Sequence, residues 1–166
     1  MNIIKSSRLI IRAGLLTDTN FILALLNQPS FYQYIADKGI YTQNQAAEYI
    51  QTAFIDAHEK QGFGPYIVTL RDGTPIGMAG LFKRDYLQVP DIGYAFLAQF
   101  TGNGYASEAC ESLMTLMSNR FGVLAAITTK DNCASQQVLH KLTFTKQCEL
   151  TVSQDRKPVW LYIKEL

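Results

Sequence analysis

The chain contains few of the residues that build metal centres or disulfide frameworks. Its three cysteines, Cys110, Cys133 and Cys148, form no CxxC pair, and there are only two histidines, His58 and His140. Structural zinc sites use four such ligands at characteristic spacings, which this sequence lacks. We therefore expect no bound metal, and thiols that are reduced and mostly buried.

The net charge is close to zero, and long hydrophobic runs are lacking. Fifteen Lys and Arg against fourteen Asp and Glu leave a net charge of +1, so nothing suggests nucleic acid or a membrane as a partner. No apolar run approaches the roughly 20 residues of a membrane span, and the opening MNIIKSSRLIIRAG does not resemble a secretory signal. These absences predict a cytoplasmic protein, and 166 residues, 48% of them hydrophobic, suit one domain spanning 1–166.

Hydrophobic periodicity predicts strands and helices in the order β-α-α-β-β-β-α-β-α-β-β. Thr42 and Gln45 have capping-box spacing ahead of a helix that ends near Gly62, and Asp72-Gly73 predicts a tight hairpin turn. The predicted strands are 8–12, 66–70, 75–82, 91–98, 123–129, 144–152 and 158–166, and the predicted helices are 17–28, 42–62, 105–122 and 135–142. This order indicates an α+β domain with a mixed sheet.

A glycine loop joins the strand 91–98 to the helix 105–122, in the stretch AFLAQFTGNGYASEACESL. Such a loop directs the free N–H groups of the first helical turn at an anion, typically phosphate. Gly102 and Gly104 permit close approach of a ligand, although they also suit a plain strand-to-helix turn. Because the strand 123–129 follows the helix, the unit is βαβ and its two strands are expected to be parallel.

Two well-known phosphate-binding motifs do not match this loop. A P-loop requires Lys and then Ser or Thr after its last glycine, where this chain has Tyr105-Ala106. A dinucleotide-binding fingerprint is nearer, because residues 102–107 match GxGxxS and Asp131 follows the next strand. That fold requires successive βα units, whereas the first half of this chain predicts two helices and a hairpin.

The order of elements and several local sequences resemble the GNAT acetyltransferases, and in particular the RimJ/RimL-type N-terminal acetyltransferases of ribosomal proteins. The resemblance covers nearly the whole chain, through SSRLIIR, PIGMAGLFKRD, PDIGYAFLAQFTGNGYASEA and NCASQQVLHKLTF. It implies the acyl-CoA N-acyltransferase fold, in which a mixed, mostly antiparallel central sheet is flanked by helices and two central parallel strands are splayed.

The family's Q/R-x-x-G-x-G/A pattern is matched with two departures. The preferred register places Thr101 at the first position, Gly104 at the middle glycine and Ala106 at the last small residue; a literal alternative begins at Gln99. Thr143 stands where the family has glycine, which predicts an altered turn into the following strand.

The resemblance implies an N-acetyltransferase that uses acetyl-CoA as co-substrate, without a metal, and transfers the acetyl group directly to an amine in a ternary complex. A backbone N–H near Phe96 or Leu97, at a bulge, would meet the thioester oxygen. Asn132 would bind the pantetheine arm, or else only cap the following helix. The N–H groups of residues 102–107 would hold the pyrophosphate, in a cradle of Thr101, Gly102, Asn103, Gly104, Tyr105, Ala106 and Ser107.

Two residues are implied for catalysis. Ser135 would give a proton to the leaving thiolate, since the tyrosine that many family members have in this helix is replaced by Leu139; otherwise it is only a first-turn residue. Asp91 would act as general base through a water, or else be a strand-end carboxylate. The resemblance implies a small-molecule or peptide amine as acceptor and leaves open whether it is a protein N-terminus, a polyamine, an amino acid or an antibiotic amine. A non-catalytic acyl-CoA-binding module is the alternative function. An exposed last strand, 158–166, would support a homodimer.

Overall fold

The computed structural model describes residues 3–153 and 156–166, which form an eight-stranded sheet in the order β1-β2-β3-β4-β5-β6-β8-β7. The strands are β1 (Ile4–Lys5), β2 (Leu9–Arg12), β3 (Pro65–Leu70), β4 (Pro75–Phe82), β5 (Asp91–Phe96), β6 (Val123–Thr129), β7 (Thr145–Leu150) and β8 (Val159–Glu165). The helices are α1 (Thr19–Leu26), α2 (Pro29–Tyr34), α3 (Gln43–Tyr49), α4 (Ala57–Gln61), α5 (Tyr105–Met117) and α6 (Cys133–Lys141), and a π-helical segment, Ile50–Asp56, joins α3 to α4. The predicted mixed, mostly antiparallel sheet is confirmed.

The middle of the sheet opens between β5 and β6. These parallel strands pair at a single position near their beginnings, Asp91 opposite Ala125. Beyond it, β5 stays paired with β4 and β6 with β8, so the two parallel strands diverge toward their C-terminal ends. We call this opening the central gap, and it confirms the predicted splay.

Helices cover both faces of the sheet. On one face, Ala95 packs in a core cluster with residues of α1, α3 and the π-helical segment, among them Ile22 and Phe54. On the other face, Ile92 packs with residues of α5 and α6, among them Met114 and Leu139. Because successive side chains of a strand point to opposite faces, β5 supplies residues to both layers. We call these the α1–α3 face and the α5–α6 face.

Several local predictions are confirmed by backbone geometry. Thr42 and Gln45 form the capping box of α3, with Thr42 Oγ1 accepting from the Gln45 N–H at 3.3 Å. Gly62 ends α4 in the left-handed conformation at φ 74°, and Gly73 turns the β3–β4 hairpin at φ 92°. Thr143 also adopts a left-handed conformation, at φ 61°. The altered turn predicted at that position is therefore a threonine in a glycine-like conformation.

Other predictions need correction. The last strand, β8, lies between β6 and β7 and not at an edge, so the argument for a homodimer through residues 158–166 is wrong. The sequence predicts only that the first helix ends before Pro29. In the structure Pro29 also lies in the first turn of a further helix, α2, a position that suits its fixed φ. Of the cysteines, Cys110 is buried but Cys133 and Cys148 are exposed, so most of the thiols are not buried.

Features of two other classes of protein, membrane-spanning helices and metal centres, are absent from the described residues. None of the helices in residues 3–153 and 156–166 has the length and apolar character that crossing a membrane requires. The same residues contain no group of three or more His, Cys, Asp or Glu side chains arranged to hold a metal ion.

Candidate active site

A cavity of about 960 Å³ passes through the central gap and connects the start of α5 with the loops around Lys38 and Arg84. Its volume lies toward the upper end of the range for ligand pockets. Its wall includes most of the residues predicted for the site: Asp91, Phe96, Thr101, Gly102, Gly104, Tyr105, Ala106, Ser107, Asn132 and Ser135. The two other predicted residues, Leu97 and Asn103, are not part of this wall.

The glycine loop leaves open space where a cofactor is expected. Gly102 and Gly104 both have φ 78°, and Gly104 is the N-cap of α5. A Cβ atom on Gly102 would meet no atom within 4 Å, and one on Gly104 would meet only the Arg8 guanidinium, at 3.5 Å. Left-handed backbone at both positions explains why glycine occurs there.

The first turn of α5 presents N–H groups to this space. The helix begins at Tyr105, and the Glu108 N–H donates to the Gly104 carbonyl at 3.1 Å. The N–H groups of Tyr105, Ala106 and Ser107 precede that first helical bond, so no carbonyl of the helix is available to accept from them. The helix thus begins one residue before Ala106, the start that the preferred motif register implies, and the choice of register stays a prediction.

Thr101 and Asn103 form hydrogen bonds within the loop. Thr101 donates to the Ala98 carbonyl through its N–H, at 3.2 Å, and through its hydroxyl, at 2.8 Å. The Asn103 amide donates to the carbonyls of Phe100 and Thr101. The described contacts of these two residues therefore stabilise the turn that precedes the cradle.

Arg8 fixes the junction between the loop and α5. Its backbone N–H and its Nε each donate to the Glu108 carboxylate at 2.7 Å, and its Nη1 donates to the Asn103 carbonyl at 2.9 Å. Its guanidinium also stacks on the Tyr105 ring, 4.6 Å from the centroid. Sequence reasoning gave Arg8 no role, and a partner 100 positions away leaves no local signal from which one could be inferred.

The hydrogen-bond pattern of β5 determines which backbone groups face the central gap. The Leu97 N–H donates to the Ile76 carbonyl of β4 at 2.9 Å. Since successive residues of an antiparallel strand bond to opposite sides, the N–H groups of Tyr94 and Phe96 point away from β4 and into the gap. Of the two candidates that the sequence left open, Phe96 thus has its N–H in the gap and Leu97 does not.

Ser135 lies beside a tyrosine of β5. Asn132 caps α6, its Oδ1 accepting from the Ser135 N–H at 3.0 Å. The Tyr94 hydroxyl lies 3.0 Å from Ser135 Oγ and 3.2 Å from the Ser135 carbonyl. Burial raises the pKa of the Tyr94 hydroxyl far above its ordinary value, so the hydroxyl stays protonated. Leu139, where many family members have a tyrosine, is a core residue.

Tyr94 is a functional candidate that sequence reasoning did not single out for proton transfer. Strand alternation places it on the same face as Phe96, which was the available signal. Its contact with Ser135 joins β5 to α6, and only the tertiary structure shows that contact.

Asp91 occupies the other side of the sheet. Only 1% of its surface is exposed, and its Oδ1 lies 2.8 Å from Arg84 Nε. Burial raises the pKa of the Asp91 carboxyl, although the Arg84 charge opposes this. By alternation Asp91 shares the α1–α3 face with Ala95, whereas Tyr94 lies on the α5–α6 face. The two predicted catalytic residues thus lie on opposite faces, at a cavity that connects both.

The splayed strands and the glycine-capped helix beside them border one cavity, with the free N–H groups of the first turn of α5 at one end of it. Residues 8–145 match the family model of the acetyltransferase (GNAT) domain. The chain therefore belongs to the GNAT acetyltransferase family. The predicted enzyme class, a GNAT-type N-acetyltransferase, and the predicted fold are confirmed.

Individual relatives are more distant. Two are proteins of Bacillus subtilis (strain 168): the uncharacterized protein YkkB, 27% identical over 145 residues (83% of this chain and 80% of that protein), and the uncharacterized N-acetyltransferase YoaA, 28% identical over 152 residues (87% and 84%). One similar solved structure is that of RimL, a ribosomal L7/L12 α-N-protein acetyltransferase in complex with coenzyme A. It superposes with a TM-score of 0.87 and 21% sequence identity, and the match covers 99% of this chain and 98% of that chain. An acetyl transfer enzyme of Salmonella typhimurium that modifies the N-terminal serine of L7/L12 gives 0.82 at 22% identity over 99% of both chains. The predicted resemblance to the RimJ/RimL type thus extends over the whole fold.

Proposed function

We propose that this protein transfers the acetyl group of acetyl-CoA to a primary amine by direct attack in a ternary complex. The observation that carries the proposal is the cavity that runs from the N-terminus of α5, through the central gap, to the α1–α3 face. Such a passage lets two substrates meet from opposite faces of the sheet, in the orientation that a direct transfer requires.

The residues in the wall suit coenzyme A. In this proposal the N–H groups of residues 102–107 hold the pyrophosphate, and the α5 dipole favours the anion. Arg8 lies beside Gly104, although its charge is paired with Glu108. The amide groups of the pantetheine arm match the backbone groups that β5 directs into the gap. RimL, a structure of the same fold, is in complex with coenzyme A, which supports coenzyme A as the ligand.

Backbone N–H groups of β5 stabilise the negative charge that develops on the acetyl oxygen. The N–H of Phe96 points into the gap, and that of Tyr94 lies two residues before it in the same direction. A fixed N–H at this position stabilises charge that develops during transfer, which is the largest contribution to catalysis in many acyl transfers. When bound, acetyl-CoA supplies the acetyl group as an activated thioester, and no covalent enzyme intermediate is required.

We assign proton transfer to two residues on opposite faces of the sheet, Ser135 as proton donor and Asp91 as proton acceptor. On the α5–α6 face, Tyr94 can donate to Ser135 Oγ, which leaves the Ser135 proton for the departing thiolate. On the α1–α3 face, Asp91 is the one carboxylate that the described residues contribute to the cavity wall. We therefore assign Asp91 as the base that accepts the amine proton, through a water, while it positions Arg84.

The experiment that tests the function is calorimetric titration with acetyl-CoA, combined with a thiol-release assay on a panel of small amines and N-terminal peptides. We expect binding and thiol release with at least one amine class. Ser135→Ala should lower kcat on the order of 100-fold and leave acetyl-CoA affinity nearly unchanged. Ser118→Ala, at an exposed serine at the end of α5, is the matched control.

The possible outcomes separate the proposals. Absence of acetyl-CoA binding overturns the function, and binding without transfer to any amine indicates the acyl-CoA-binding module. Transfer with an unchanged kcat in Ser135→Ala removes the serine from proton transfer but leaves the acetyltransferase function standing.

A further inference from the structure

We propose that the acceptor amine carries an anionic group, a carboxylate or a phosphate, which Lys38, Arg84 and Arg156 bind. This inference rests on the proposed function, because it names the class of amine that enters the same cavity. We call the part of the cavity around these three cations and Asp91 the acceptor end.

The cavity wall is far more basic than the protein as a whole. The chain has 15 basic and 14 acidic residues, yet the described residues of the wall combine one carboxylate, Asp91, with several basic side chains. These are Lys38, Lys83, Arg84, Lys141, Arg156 and Lys157. The positive charge is therefore concentrated where substrates bind.

Three of these cations come from separate loops, and the charges of two of them act on the third. Lys38 precedes α3, Arg84 follows β4, and Arg156 precedes β8. Partial burial in the wall lowers the pKa of Lys38, and the charges of Arg84 and Arg156 lower it further, although its side chain keeps access to solvent. Positive charges from three loops that converge on one cavity are expected where an anion binds.

The phosphates of coenzyme A do not account for this cluster. The strand from Asp91 to Phe96 rises about 3.3 Å per residue, so its two ends are separated by roughly 17 Å. Arg84 is bound to Asp91 at the beginning of this strand, and the glycine cradle follows its end. Asp91 also points to the face of the sheet opposite α5. The acceptor end therefore needs an anion of its own.

The charge count at the acceptor end indicates what that anion belongs to. Asp91 pairs with Arg84, whereas no carboxylate within residues 3–153 and 156–166 forms an ion pair with Lys38 or Arg156. A protonated amine without an acidic group would add a further positive charge and be repelled. An amine that also carries a carboxylate or phosphate offsets its own positive charge and gives Lys38 and Arg156 an anionic partner, so simple polyamines are expected to be poor acceptors.

The test compares amines that differ only in charge. The probes are the C-terminally amidated peptides Ser-Glu-Glu-Ala and Ser-Gln-Gln-Ala, and phosphoethanolamine and ethanolamine, each with saturating acetyl-CoA. We expect the charged member of at least one pair to have the higher kcat/KM, and Lys38→Gln and Arg156→Gln each to lower that value by about tenfold, the effect of losing one charged hydrogen bond. Lys60→Gln is the matched control, because the Lys60 side chain is 77% exposed and lies outside the cavity wall.

Each outcome bears on the proposal. Preference for the acidic peptide identifies a carboxylate, and preference for phosphoethanolamine identifies a phosphate. Equal or better use of the neutral amines, or no effect of the two variants, overturns the proposal while acetyl transfer itself stands. If no probe is acetylated, the same probes are titrated into the protein saturated with coenzyme A. Tighter binding of a charged probe that either variant weakens then supports the proposal, and any other result overturns it. Failure to bind acetyl-CoA at all is seen separately and concerns the proposed function.

Discussion

Adding one methyl group at Gly104 should separate the cost of backbone strain from the cost to cofactor binding. Gly104 and Gly73 both have left-handed backbone, at φ 78° and 92°. A Cβ atom added to Gly104 would meet only the Arg8 side chain, at 3.5 Å. A Cβ atom added to Gly73 would meet no atom within 4 Å. Gly104 is the N-cap of α5, whereas Gly73 turns the β3–β4 hairpin, which does not belong to the cradle.

The two substitutions Gly104→Ala and Gly73→Ala should therefore destabilise the fold equally. Left-handed backbone costs an L-residue about 1–2 kcal/mol, and the lower entropy of unfolded alanine returns part of this. We expect a net loss of about 1 kcal/mol, which lowers Tm by about 2–4 °C in a chain of this size. Only Gly104→Ala should weaken acetyl-CoA binding, because its methyl group enters the cradle.

The expected loss of affinity follows from the hydrogen bonds at the cradle. If the methyl group displaces the pyrophosphate from one N–H, the loss is about 1.5–3 kcal/mol, or roughly 10- to 100-fold in Kd. Thermal unfolding followed by circular dichroism gives Tm, and calorimetry gives Kd. Matched losses of Tm with an unchanged Kd in Gly104→Ala would refute the placement of the pyrophosphate.

Two further predictions concern the turn after α6 and the acid on β5. Thr143→Gly should raise Tm by about 1–3 °C in thermal unfolding, because it removes the left-handed strain of a β-branched residue. This gain should outweigh two losses, the exposed 2.6 Å hydrogen bond from Lys164 and the greater entropy of glycine in the unfolded chain. A lower Tm would show that the Lys164 contact dominates. If Asp91 is the base, kcat/KM should fall as pH drops through its pKa, which burial raises above the ordinary value, since only the ionised carboxylate accepts a proton. Asp91→Asn should then abolish that acidic limb in a pH profile, whereas a lower but parallel profile would restrict Asp91 to positioning Arg84.

Sequence reasoning succeeded where one short stretch of chain contains the whole cause of a structure. The capping box of Thr42 and Gln45, the hairpin at Gly73 and the helix start after Gly104 all depend on residues within a few positions of one another. The β-α-β order also sufficed to predict the parallel pair, because the handedness of such units leaves few alternatives.

It failed where the cause lies in the pairing of distant segments. The insertion of β8 between β6 and β7 depends on which strand completes the sheet, and this has no signature within residues 158–166. The contact of Tyr94 with Ser135 has the same origin, since its partners come from different elements. Composition failed for a related reason, because a net charge of +1 conceals a cavity in which basic residues predominate.

The basic acceptor end and the choice of Asp91 as base are mutually consistent. An amine must lose a proton before it attacks, and nearby positive charges lower the pKa of an ammonium group. Lys38, Arg84 and Arg156 line the cavity where the amine is expected, so an ammonium bound there gives up its proton more readily than in water. A carboxylate is a far weaker base than a free amine, and burial raises the pKa of Asp91, which narrows that difference further. The same cations would thus recognise the acid of the acceptor and prepare its amine, which explains how a site with a single carboxylate in its described wall could deprotonate its substrate.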